Sequence, residues 1–178
     1  MKTVTQWLEE VVTNSTKLNH WLQRQYVGEM LAAQRIQQIA DTYQQMESAN
    51  PSAVMILARI ANDERNHAQW VKELLELFNI ELPEVTLEGT RYWQGDELDL
   101  PFTDLMALGH HAETMRLQRI VALSVDTRVH VAIQAVFSRV LQDEIIHAKT
   151  FGDLADPDAI ERMRTRHQEG LERLGLEI

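Results

Sequence analysis

The chain has 178 residues, 44% of them hydrophobic, enough for one domain with a proper core. It contains no Cys, which excludes disulfides, Cys-ligated zinc, iron–sulfur centres and a rubredoxin-type module. The formal charge of −10, from 27 acids against 17 bases, argues against a nucleic-acid or anionic-membrane partner and leaves carboxylates available for cations. No apolar run approaches the roughly 20 residues that span a bilayer. The first ten residues lack the apolar stretch of a signal peptide. A cytoplasmic protein is expected.

With only 7 Gly and 4 Pro, the chain favours a few long elements, and apolar residues recur at helical spacing almost throughout. Leu8, Val11 and Val12 suggest a short first helix capped by Thr3 or Thr5. A long helix is predicted over about Leu18 to Gln45, ended by the stretch Ser48 to Ser52. Asn50 followed by Pro51 is a cap with Pro at the first helical position, opening a helix to about Phe78.

Residues 80–101 differ. Two Pro, two Gly and many acids disfavour a helix there. About 20 extended residues reach roughly 66 Å, whereas a 25-residue helix is roughly 38 Å long. The segment is therefore expected to be a long crossover that starts the next helix at the same end of a bundle. A third long helix is predicted over about Thr103 to Ser124, with Thr103 as its cap. A fourth starts at Asp126 or Thr127 and runs to about Leu154. "DPD" at 156–158 opens a last, strongly charged helix to about Leu174, expected on the surface. The expectation is an all-α, up-down four-helix bundle, with a helix added at each end and no internal domain boundary.

Two stretches repeat. Residues 63–68 read DERNHA and residues 143–148 read DEIIHA. Residues 29–36 and 113–120 both fit Glu-x-x-x-x-Gln-Arg-Ile. Each half thus supplies a Glu on its first helix and Asp-Glu-x-x-His on its second, which suggests pseudo-twofold symmetry. Residues i and i+3 share a helix face. Glu64 and His67 therefore point to one spot, as do Glu144 and His147. Those faces are otherwise apolar: Leu57, Ile60 and Val71 on one helix, Phe137, Val140 and Leu141 on the other. A Glu in such a stripe is costly unless it is paired or binds a metal. Glu29, Glu64, Glu113 and Glu144 balance two divalent cations, and His67 and His147 complete a mixed ligand set that suits iron or manganese.

Ligating imidazoles commonly donate their second N–H to a carboxylate, a supporting role that fits Asp63 and Asp143. Tyr26 and His110 each lie three residues before the helix Glu and face the same side. They are supporting donors, or packed aromatics; for His110, an extra ligand is a further reading. Ala32 and Ala33 follow Glu29 by one turn, where the repeat has Arg116 and Leu117. The smaller side leaves room for a substrate or dioxygen channel, or for close helix approach.

These residues resemble the ligand pattern of the ferritin-like di-iron carboxylate superfamily, over about residues 18–154. That resemblance implies a single ferritin-like domain over 1–178, with Glu64 and Glu144 bridging two metals and Glu29 and Glu113 as terminal ligands. The pattern is also similar to that of bacterioferritins and rubrerythrins. It departs from them at Ile36 and Ile120, where a Tyr is common, and at Arg65, where bacterioferritin has its haem-ligating Met. The Asp-Glu-x-x-His form is similar to that of di-iron oxygenases. The resemblance therefore implies a non-haem di-iron oxidoreductase that activates O2 or peroxide, an oxidase or oxygenase of a small organic substrate. Manganese or a mixed manganese–iron pair is an alternative to two irons. Alternatives of function are a ferroxidase or iron-storage subunit, a rubrerythrin-like peroxidase, and a metal-stabilised, non-catalytic bundle. An electron-donor protein and a homodimer are the expected partners.

Overall fold

The computed structural model describes residues 2–86, 92–93 and 99–176. Among these the elements are α-helices, with no strand and one isolated bridge between Lys2 and Leu176. The helices are α1 (Val4–Thr13), α2 (Ser15–Gln44), α3 (Pro51–Leu77), α4 (Phe102–Val125), α5 (Val131–Leu154), α6 (Pro157–Arg162) and α7 (Arg164–Leu174). The all-α expectation with four long helices is met. The expected crossover lies partly in 87–91 and 94–98, outside the described residues. No described helix is long and apolar enough to cross a membrane.

The chain divides into two compact units, Asn19–Gly89 and Met1–Leu18 with Thr90–Ile178. The first holds most of α2 and all of α3. Its turn is pinned by Tyr43, whose hydroxyl accepts from Asn50 N–H at 3.2 Å. Asn50 in turn caps α3, its Oδ1 accepting from Ser52 N–H at 2.9 Å, with Pro51 at the first helical position. Along α3 the buried residues Leu57, Ile60, Glu64, His67, Val71 and Leu74 form one stripe at alternating three- and four-residue steps. Glu64 and His67 therefore occupy seam positions that the pattern otherwise gives to aliphatic side chains.

The second unit holds α1 and α4 to α7. Helix α1 starts with the expected Thr3 cap, reinforced by Gln6 in a reciprocal capping box. Helices α4 and α5 are antiparallel: Gly109 meets Phe151, His110 meets Ala148 and Arg116 meets Glu144. A Cβ on Gly109 would lie 2.9 Å from the Phe151 ring, so the missing side chain sets how closely these helices approach. Along α5, Ile133, Phe137, Val140, Glu144, His147 and Phe151 repeat the stripe seen on α3.

Four boundaries differ from expectation, the first being that of α2, which starts at Ser15 and not at about Leu18. Helix α5 starts at Val131, because Asp126 folds a turn instead: its Oδ1 accepts from Arg128 N–H at 2.9 Å, and the capping group is His130 Nδ1 on Ala132 N–H. The Arg128 guanidinium bound to Asp126 holds that carboxyl down at about 2. Helix α4 starts at Phe102 on the carbonyl of Pro101, so Thr103 lies inside the first turn and is not the cap. The last helix is broken at Met163 into α6, which is mostly exposed, and α7, which buries Gly170 and Leu171. Arg162, at the end of α6, pairs with the buried Asp104 at 2.7 Å and ties this segment to the start of α4.

Candidate metal centre

In the first unit, α2 brings Glu29 and α3 brings Glu64 and His67 to one place. All three are fully buried, at 0% exposure. His67 Nδ1 is 3.8 Å from Glu29 Oε2 and 3.9 Å from Glu64 Oε1. Ligand atoms of the three lie within 4.8 Å of one another, a spread that suits a single cation. Trp70, one turn after His67, puts its ring centroid 5.4 Å from the imidazole and covers it. Tyr26 is half-buried on α2, one turn before Glu29, and Asp63 is half-buried beside Glu64.

In the second unit, α4 brings Glu113 and α5 brings Glu144 and His147, with exposures of 4%, 0% and 1%. His147 Nδ1 is 3.6 Å from Glu144 Oε2. The other Glu144 oxygen, Oε1, is 2.8 Å from a guanidinium nitrogen of Arg116, and a second nitrogen of that guanidinium is 3.2 Å from Glu113 Oε2. Arg116 therefore spans both carboxylates. The sequence pairs it with Ala32 in the first half, and its place three residues after Glu113 is the signal that marks it as a partner of that carboxylate. Asp143 is half-buried beside Glu144. His110 Nδ1–H donates to the Ala148 carbonyl at 2.8 Å, which fixes its ring between α4 and α5.

Beside this group, a stack of rings joins α4 to the C-terminal helices. His111 and His167 lie 4.6 Å apart and nearly parallel, at 10°. The Tyr92 hydroxyl is hydrogen-bonded to His167 Nδ1 at 2.7 Å. Burial, with the neighbouring His111 and His110, pushes His167 down to about 4, and burial also lowers His111. His167 is thus a packed, neutral imidazole on a helix that the sequence places on the surface.

The donor chemistry fits hard divalent cations. Taking a carboxylate out of water costs several kcal/mol after relaxation; Glu64 and Glu144 sit in seams built from Leu, Ile, Val and Phe, and Glu29 and Glu113 are buried too. Oxygen donors with imidazole are the set that iron and manganese favour. Comparison with protein families matches residues 20–155 to the rubrerythrin family. Searches of the curated proteins and of the solved structures return no significant match. The chain belongs to the rubrerythrin family, a ferritin-like di-iron family of helical bundles.

Proposed function

We propose, from the premise that this chain is a member of the rubrerythrin family, that it is a di-iron oxidoreductase acting on dioxygen or peroxide, and that it oxidises a small organic substrate. Its centre takes Glu29, Glu64 and His67 from one helix pair and Glu113, Glu144 and His147 from the other. The observation that carries this reading is the repeated burial of Glu and His, one turn apart, in two otherwise apolar seams. Iron, when bound, supplies the one-electron redox chemistry and open coordination that side chains lack.

The chain's own residues have distinct tasks in this reading. The four carboxylates neutralise the charge of two divalent ions and hold them by oxygen. His67 and His147 add one nitrogen each. Leu57, Ile60, Phe137 and Val140 exclude water from the turns before the ligands, which strengthens every electrostatic contact inside. Trp70 restricts the movement of the His67 ring. Asp63 and Asp143 orient imidazoles, a role tested by Asp63→Asn, which should weaken iron binding by about 10–100-fold.

A second reading is peroxide reduction without an organic substrate, favoured by the family to which residues 20–155 match. Stopped-flow mixing of the anaerobically iron-loaded protein with O2 or H2O2 separates the two when a chemical reductant is supplied. The oxidase reading expects sustained O2 consumption that rises with an organic substrate. The peroxidase reading expects repeated H2O2 turnover without one. Turnover no faster than that of free Fe2+, or unchanged in Glu64→Ala, would sink both.

A further inference from the structure

Among the matched positions at which the two proposed metal-ligating groups differ, one exchanges a methyl for a charge: Ala32 on α2 and Arg116 on α4. We propose that Arg116 is a built-in counter-cation that holds the second group closed, so that its metal position is the last to fill. The inference rests on the two-metal reading above and assigns an order to it.

One guanidinium contacts Glu113 Oε2 at 3.2 Å and Glu144 Oε1 at 2.8 Å. Its two nitrogens stand where a cation shared by these carboxylates would draw on the same oxygens. Guanidinium stays charged at any accessible pH and forms planar, two-pronged contacts with carboxylates. It offsets one of the two negative charges of the pair, which lowers the electrostatic gain left for an incoming ion. A metal using both carboxylates must displace it from at least one.

Arg116 is able to leave. Its side chain is 14% exposed while that of Glu144 is fully buried, so Arg116 is the member of the pair that reaches solvent. A long, flexible stem lets a guanidinium reach water without backbone movement. The first group has a methyl at the matching position, so no guanidinium has to move from there when an ion enters. The small side chain thus marks the half that loads first.

The test is anaerobic calorimetric titration of the metal-free protein with Fe2+, comparing wild type with Arg116→Met and Arg116→Ala, and melting each in metal-free and loaded forms. Met keeps much of the volume without the charge and guards against a folding defect in Ala. Wild type is expected to bind in two unequal steps, the second at least about tenfold weaker. In the variants the second step tightens toward the first. The metal-free variants melt below wild type, because two carboxylates then face each other without the guanidinium, and iron loading removes that difference. Two equal steps in wild type, or a variant isotherm that overlays wild type, would overturn the order while leaving the two-metal reading intact. A second step that weakens in the variants would make Arg116 a support of the bound metal and also overturn the proposal. Fewer than two irons in wild type and variants alike would end both readings, whereas one in wild type and two in the variants supports the closed second group.

Discussion

Helices α2 and α3 carry Glu29, Glu64 and His67 with no exposure and an alanine one turn from Glu29, whereas α4 and α5 carry the same residue types with an arginine laced between two of them. The chain thus solves one physical problem, carboxylates in an apolar seam, with two different surroundings. In the second pair the charge is offset partly from within, by a side chain whose cation is permanent. In the first, the His67 imidazole stands beside both carboxylates. Repetition of ligands therefore does not imply equivalence of sites.

The sharpest way to break that comparison is to remove one imidazole at a time. His67→Ala should cost the tighter iron-binding step at least about a hundredfold, since even supporting groups around metals account for 10–100-fold. His147→Ala should do the same to the weaker step and spare the tighter one. Isotherms of the two variants that cannot be told apart would make the halves equivalent.

The helix pairs also differ in how tightly a glycine is packed. Gly109→Ala puts a methyl 2.9 Å from the Phe151 ring and should destabilise by about 1–3 kcal/mol, read by denaturant midpoint. Among the described residues, a Cβ on Gly28, next to Glu29 on α2, would meet nothing within 4 Å beyond its own helix backbone and chain neighbours. Gly28→Ala should therefore stabilise by about 0.5–1 kcal/mol through helix propensity alone. Equal effects from the two substitutions would mean that α4 and α5 are no more closely packed at Gly109 than α2 is at Gly28.

The second unit has a pH dependence of its own. His167 has its folded value pushed from 6.5 down to about 4, so the unfolded chain takes up its proton first. The stability of the neutral stack is fully present above pH 6.5 and is lost as pH falls toward about 4. Allowing for solvent screening of a half-buried group, the loss is on the order of 1 kcal/mol. His167→Phe, which keeps a ring against His111, should flatten melting temperature over that window. An unchanged pH profile in this variant would show that other groups carry it.

Much of this was legible in the sequence because the signals were periodic and repeated. The Glu-x-x-His spacing on apolar stripes placed Glu64, His67, Glu144 and His147 on the inward faces of α3 and α5, and Asn50-Pro51 marked the start of α3 within one residue. Boundaries set by local competition were harder. Asp126 reads as a helix cap, yet its pairing with Arg128 closes a turn and delays α5 to Val131. His167 reads as a surface residue because helix α7 is so charged; its burial depends on Tyr92, which lies 75 residues earlier in a segment with no periodicity. Arg116 was visible as a mismatch in the repeat, three residues after Glu113. Its role needs the distance to Glu144 on another helix, which sequence spacing does not contain.

In the proposed reading, six residues from the two repeats bind two irons. X-ray absorption at the iron edge of the fully loaded protein tests it most directly. Oxygen and nitrogen ligands only are expected, with an imidazole contribution and an iron–iron vector of about 3.5–4 Å that disappears in Glu64→Ala. Fully loaded protein without any iron–iron vector, or one that persists unchanged in Glu64→Ala, would contradict it.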